Sequence, residues 1–172
     1  YNMQKRFINI ILSAICIILT SPVMIILSIY LLISRKKIIS QKVYCCKGNR
    51  IFNMYTFNLP YASNNEHSRL YKAIIEIPAL WNVVKGEMSI VGPSAMTPDE
   101  LDNAKSLFPD YDILTKYNPG LLSESRLYLP DTNKSENLLS HCECNTRYIR
   151  NQSMMHDIEI IADSILILIC GK

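Results

Sequence analysis

The sequence predicts an α+β chain, mostly helical, with a re-entrant membrane helix hairpin followed by a small domain of interfacial helices and a β-hairpin. Three observations predict it. Phe7 to Ser34 is a run of 28 residues without charge, Ser21-Pro22 lies at its centre, and the remainder alternates short apolar segments with Gly- and Pro-marked turns.

A straight helix over the uncharged run would reach about 42 Å, against roughly 30 Å of hydrocarbon. Lys5 and Arg6 precede the run, and Arg35, Lys36 and Lys37 follow it. Positive flanks stay on the cytoplasmic side, and here both flanks are positive. Pro22 removes a backbone donor and crowds the carbonyl four residues back; the Ser21 hydroxyl can satisfy a freed carbonyl, so a break inside lipid is tolerable. These features favour a hairpin that enters one leaflet and returns. A kinked spanning helix is the main competitor and a buried soluble helix pair a distant third. The run is too long for the apolar stretch of a cleaved signal peptide, and no small-x-small site follows it. The first residue is Tyr1 rather than Met, as in a fragment of a longer chain.

The expected division is a membrane-embedded segment, residues 1–40, and a cytoplasmic domain, residues 41–172. Hydrophobic residues make up 49% of the chain, so burial does not limit that domain. A net charge of +3 suits contact with anionic headgroups. It argues against nucleic acid, and no basic strip interleaved with aromatics supports such a partner. Six cysteines are present, at 16, 45, 46, 142, 144 and 170. Cys45-Cys46 and His141-Cys142-Glu143-Cys144 lack the ligand spacing of structural zinc sites, and a cytoplasmic domain keeps thiols reduced. Zinc and a disulfide remain minor alternatives to free thiols.

In chain order, Ile38 to Val43 and Ile51 to Phe57 are expected strands, joined by a turn at Lys47-Gly48-Asn49-Arg50. Tyr61 to Glu66 is polar and loop-like. Arg69 to Val84 carries helical spacing, interrupted by Pro78 and ended by Lys85-Gly86. Met88 to Val91 is a short apolar segment leading into a Gly92-Pro93 turn. Thr97-Pro98-Asp99-Glu100 reads as a helix start, with Thr97 as N-cap. Asn118-Pro119-Gly120 is another turn, and Asp131 to Cys144 is expected to be a polar loop. Met154 to Cys170 closes the chain as an apolar helix. Trp81, Leu80 and Val84 are expected in the core, and His67, His141 and His156 at the surface.

The stretch Glu76-Ile77-Pro78-Ala79-Leu80-Trp81-Asn82-Val83-Val84-Lys85-Gly86-Glu87-Met88-Ser89-Ile90-Val91-Gly92-Pro93 carries a resemblance. With the basic-flanked Ser-Pro segment, Gln41, Phe52-Asn53-Met54-Tyr55-Thr56-Phe57 and Asn118-Pro119-Gly120, it resembles the bacterial sugar transferases. These are monotopic phosphoglycosyl transferases that start glycan and exopolysaccharide assembly on polyprenyl phosphate.

The resemblance implies an Asp-Glu pair. The Asp attacks the diphosphate of a UDP-sugar, releases UMP and holds the phosphosugar until polyprenyl phosphate takes it. The Glu helps to hold Mg²⁺. In this chain the Glu is Glu76, but Ile75 occupies the nucleophile position, and an alkyl group has no lone pair. The Arg expected after Gly92-Pro93 is Ser94, two cations of the Tyr-Lys-Phe-Arg segment are Thr56 and Asn58, and the Arg before Pro-Gly is Asn118. The resemblance thus implies Glu76 as the retained catalytic and magnesium-facing acid, and Lys85, Gly92, Pro93 and Ser94 as substrate-facing positions. Each also has a structural reading: a helix-end lysine, a tight turn, a hydrogen-bonded acid.

Two functions follow. The first is a degenerate transferase in the bacterial inner membrane, on its cytoplasmic face, partnering or regulating an active homologue, forming a homodimer, or binding UDP-sugar or polyprenyl phosphate. The alternative is an active Mg²⁺-dependent phosphoglycosyl transferase in which Glu76, Asp99 or Asp112 attacks. One residue's shift turns a side chain by about 100° around a helix, which disfavours that repair. A plain anchor for an upstream domain is the third reading.

Overall fold

In a computed structural model, the structure describes residues 2–34, 37–59, 69–129 and 138–170. Helix α1, Asn2–Ile33, is continuous and runs through Pro22. Its 32 residues correspond to about 48 Å of helix. The expected interruption at Ser21-Pro22 is absent, for a local reason. Pro22 leaves the Ile18 carbonyl without its usual donor, and the Ser21 hydroxyl donates to that oxygen at 2.8 Å. Thr20 donates likewise to Cys16, and Ser28 to Met24. The helix is long and apolar enough to cross a membrane, and most of its apolar side chains are exposed.

Strands β1, Ile39–Cys46, and β2, Arg50–Phe57, form an antiparallel hairpin with Ile39 opposite Phe57 and Cys46 opposite Arg50. The turn needs positive φ at Gly48 and Asn49, two residue types that tolerate it. Both strands run longer than the apolar alternation indicated, because Tyr44, Cys45 and Cys46 continue the ladder. The boundary expected at residue 40 falls inside β1.

Helix α2, Arg69–Glu76, passes through a 3₁₀ turn, Ile77–Ala79, into α3, Leu80–Lys85. Pro78 accounts for the tightened turn, since it cannot donate within a continuous α-helix. Gly86, at φ 92°, ends α3 in the left-handed conformation. The turn rotates the helix face, so that Leu80, Asn82 and Val83 are buried while Trp81 is 54% exposed. The expectation of a core Trp81 is corrected by that rotation. Trp81 instead lines a cavity with Ile17 and Met24 of α1.

Strands β3, Ser89–Val91, and β4, Gly120–Leu122, pair in parallel, so the two expected turns flank a small second sheet. Gly92 and Gly120 meet backbone to backbone. A Cβ on Gly120 would lie 2.1 Å from the Gly92 nitrogen, so the crossing admits no side chain there. Helix α4, Pro98–Leu107, starts with the expected Thr97 cap, completed by Glu100 as a capping box. Helices α5, Tyr111–Leu114, and α6, Glu124–Tyr128, are short.

Helix α7, Leu138–Arg150, corrects the polar loop expected up to Cys144. Leu138, His141, Cys142, Asn145, Tyr148 and Ile149 follow the helical period and are buried. His141 is therefore interior, not surface. The stripe was hard to read because His, Asn and Cys fill positions that usually carry aliphatics. Residues 131–137, His67 and the loop expected over 61–66 lie outside the described residues. Helix α8, Met154–Cys170, closes the chain as expected. The core gathers Phe52, Met54, Val83, Ile90, Val91 and Ile160 from both sheets and the helices around them. All six cysteines are free thiols.

Candidate functional site

Glu76 is the last residue of α2, and it lines a cavity of about 190 Å³ with Lys72, Leu80, Arg126, Ser164 and Leu168. Arg126 projects from α6, which starts where Ser123 accepts the Arg126 N–H as N-cap. Its Nη2 donates to Glu76 Oε1 at 2.6 Å, and Nη1 donates to Oε2 at 3.0 Å and to the Leu121 carbonyl at 3.1 Å. The pair is bidentate and partly buried, with side chains 33% and 21% exposed for Arg126 and Glu76. Burial works against the Arg126 charge, but the facing Glu76 carboxylate and its hydrogen bond outweigh it and raise the guanidinium above its usual range.

Magnesium requires several oxygen ligands around one point. Among the cavity's lining residues Glu76 is the sole carboxylate, both its oxygens face a guanidinium, and Lys72 adds a second cation. Among the described residues, no cluster of three acidic, His or Cys side chains could hold a metal. This donor set does not fit Mg²⁺.

The other anticipated site residues lie apart from Glu76. Lys85 Nζ donates to the Tyr55 hydroxyl at 2.9 Å and lies 4.7 Å from that ring's centroid, a cation–π contact on an exposed surface. The Tyr55 hydrogen bond raises the Lys85 pKa. Gly92 lines a second, basic cavity. Pro93 and Ser94 border a third, small one beside Cys45 and Cys46. Ser94 is committed to Asn145: its N–H donates to Asn145 Oδ1 at 3.0 Å, and its hydroxyl accepts from Asn145 Nδ2 at 2.9 Å. Asn118, the position of a missing arginine, donates to the Gly86 carbonyl and accepts from the Lys47 N–H. Thr56 is buried in β2 and Asn58 is exposed just beyond it.

Arg126, Asn82 and Asn145 were not singled out from the sequence. Asn82 is fully buried inside the strongest motif. It accepts from the Tyr55 N–H and donates to the Asn53 carbonyl and Glu87, tying the hairpin to α3. A polar residue at a buried helical position was the available signal. For Arg126, 50 residues from Glu76, no local spacing gave one.

The family model for bacterial sugar transferases matches residues 68–171, the stretch that builds the Glu76 cavity. The chain belongs to the bacterial sugar transferase family. It is 26% identical to the UDP-N-acetylgalactosamine-undecaprenyl-phosphate N-acetylgalactosaminephosphotransferase of Aeromonas hydrophila, over 99% of this chain and 45% of that protein. To the UDP-glucose:undecaprenyl-phosphate glucose-1-phosphate transferase of Klebsiella pneumoniae it is 24% identical, over 91% of this chain and 38% of that protein. The exopolysaccharide production protein ExoY of Sinorhizobium fredii is 31% identical over 52% of this chain and 37% of its own length. The chain spans less than half the length of these relatives.

Proposed function

We propose that this sugar-transferase family member is a membrane-docked module of glycan or exopolysaccharide assembly that does not carry out the transfer itself. One observation carries the reading: the retained acid, Glu76, gives both oxygens to Arg126 beside an alkyl Ile75. A carboxylate so engaged is a poor nucleophile and a poor metal ligand, and the neighbouring side chain offers no oxygen. The module would sit on the cytoplasmic face of the inner membrane, with the continuous helix α1 in the lipid. The long exposed apolar face of α1 supports the lipid contact.

Its ligands would be those the relatives' names print, a UDP-sugar and undecaprenyl phosphate. Lys72 and Arg126 in the lining of a mostly apolar cavity suit an anionic group on a lipid. Its protein partner would be an active homologue or a second copy of the chain. The test is UMP release by the purified chain with Mg²⁺, polyprenyl phosphate and a panel of UDP-sugars. The reading expects none, with an active homologous transferase co-purifying; turnover abolished by Glu76→Gln would establish the active enzyme instead.

A further inference from the structure

A second cavity, of about 170 Å³, lies between the start of α1 and the β3–β4 crossing. Lys5, Arg6, Lys47 and Lys116 line it together with Asn9 and Gln152. Its lining contains no carboxylate and shares no residue with the Glu76 cavity. Lys5 is held from behind by Asp157 at 2.7 Å. Arg6 donates to the Val83 and Val84 carbonyls at the end of α3, so its charge meets only the helix terminus. Neither Arg6, Lys47 nor Lys116 forms an ion pair with any described residue.

Asn9 is the independent clue. It is 7% exposed, lines this cavity, and its carboxamide has no hydrogen-bond partner among the described residues. Its amide atoms are open to the cavity, so the carboxamide is free to serve a group bound there. One amide donor surrounded by cations is the chemistry of a phosphate site.

Position indicates the source. Asn9 faces the cavity, while Phe7, Ile8, Ile10 and Ile11 in the same turns are exposed and apolar. A phosphate held by Asn9 therefore lies where α1 enters hydrocarbon, at headgroup depth. We propose that this cavity binds a phosphate group, supplied by an anionic phospholipid headgroup, at a site separate from Glu76. The lipid source rests on the membrane-docked reading above; the phosphate chemistry does not.

The experiment uses the full chain purified in detergent. Native mass spectrometry compares retention of phosphatidylglycerol with that of phosphatidylcholine, and a parallel titration uses inorganic phosphate. The variants are Asn9→Leu and the exposed pair Lys47→Gln/Lys116→Gln, which should fold normally. Preferential phosphatidylglycerol retention that falls roughly tenfold or more in the lysine pair and in Asn9→Leu supports the headgroup site. Inorganic phosphate binding with the same losses but no lipid preference overturns the headgroup source and leaves a soluble phosphate as ligand. Binding of both probes unchanged in the variants, or absent in the native chain, overturns the site. UMP release is scored separately, so failure here leaves the inactive-transferase reading standing, and the converse also holds.

Discussion

Arg126 grips Glu76 with two nitrogens, at 2.6 and 3.0 Å, across 50 residues of chain. The pair joins α6 to the end of α2 and lines the cavity with Lys72 and Leu80. Removing the cation strands a half-buried carboxylate; removing the acid leaves a half-buried guanidinium. Either single change should therefore cost more than their combination. Arg126→Gln is expected to lower stability by about 1–3 kcal/mol, below the figure for a fully buried pair because solvent screens both groups. Denaturant unfolding of both single variants and the double variant, in detergent, checks this through a coupling energy of one sign.

Installing the missing nucleophile alone should not restore transfer. Ile75→Asp places a carboxylate beside Glu76, but Arg126 still engages Glu76, and Ser94 and Asn118 remain bound to Asn145 and Gly86. UMP release by Ile75→Asp is expected to stay at background. Turnover comparable to an active transferase would show that the ion pair and the neutral positions matter little.

Asn82 should behave as a structural keystone. Its amide serves Tyr55, Asn53 and Glu87 from a fully buried position, so Asn82→Ala orphans three partners. A loss of about 2–4 kcal/mol is expected, enough to abolish folding in a marginal chain. Thermal unfolding of the purified variant measures it. Gly120→Ala should be worse still, because its Cβ would meet the Gly92 backbone rather than a movable side chain.

Burial pushes the Cys142 thiol up to about 11 from an ordinary 9.0, with Glu100 and Glu143 adding to the effect. The folded state thus favours the protonated thiol. Its contribution is complete below about pH 9 and is lost as pH rises through about 11. Alkylation of the native chain at pH 8 should spare Cys142, which should react only after denaturation. Rapid native labelling at Cys142 would contradict the buried α7 face.

The elements that could be read beforehand were those with local signals: the Gly48-Asn49 hairpin, the Thr97 cap and the Gly86 stop. Each depends on a few neighbouring residues whose backbone preferences agree. Helix α7 was hidden because its buried face carries His141, Cys142 and Asn145, so hydrophobicity showed no clear period. Trp81 was misplaced because the Pro78 turn rotates α3 relative to α2, which a uniform helical count does not include. The site was half legible. Ile75 and Glu76 follow from the motif, whereas Arg126 and the Ser94–Asn145 bond arise from contacts between distant segments. The Ser21 hydroxyl was foreseen as a partner for a freed carbonyl, but the helix uses it to continue through Pro22.

The most direct measurement is the intact mass of the full chain after incubation with Mg²⁺ and a UDP-sugar, without lipid acceptor, so that a covalent phosphosugar would accumulate. With Ile75 beside an engaged Glu76, the predicted result is an unchanged mass for every sugar nucleotide tried. A mass gain equal to one phosphosugar, lost in Glu76→Gln, would contradict the account.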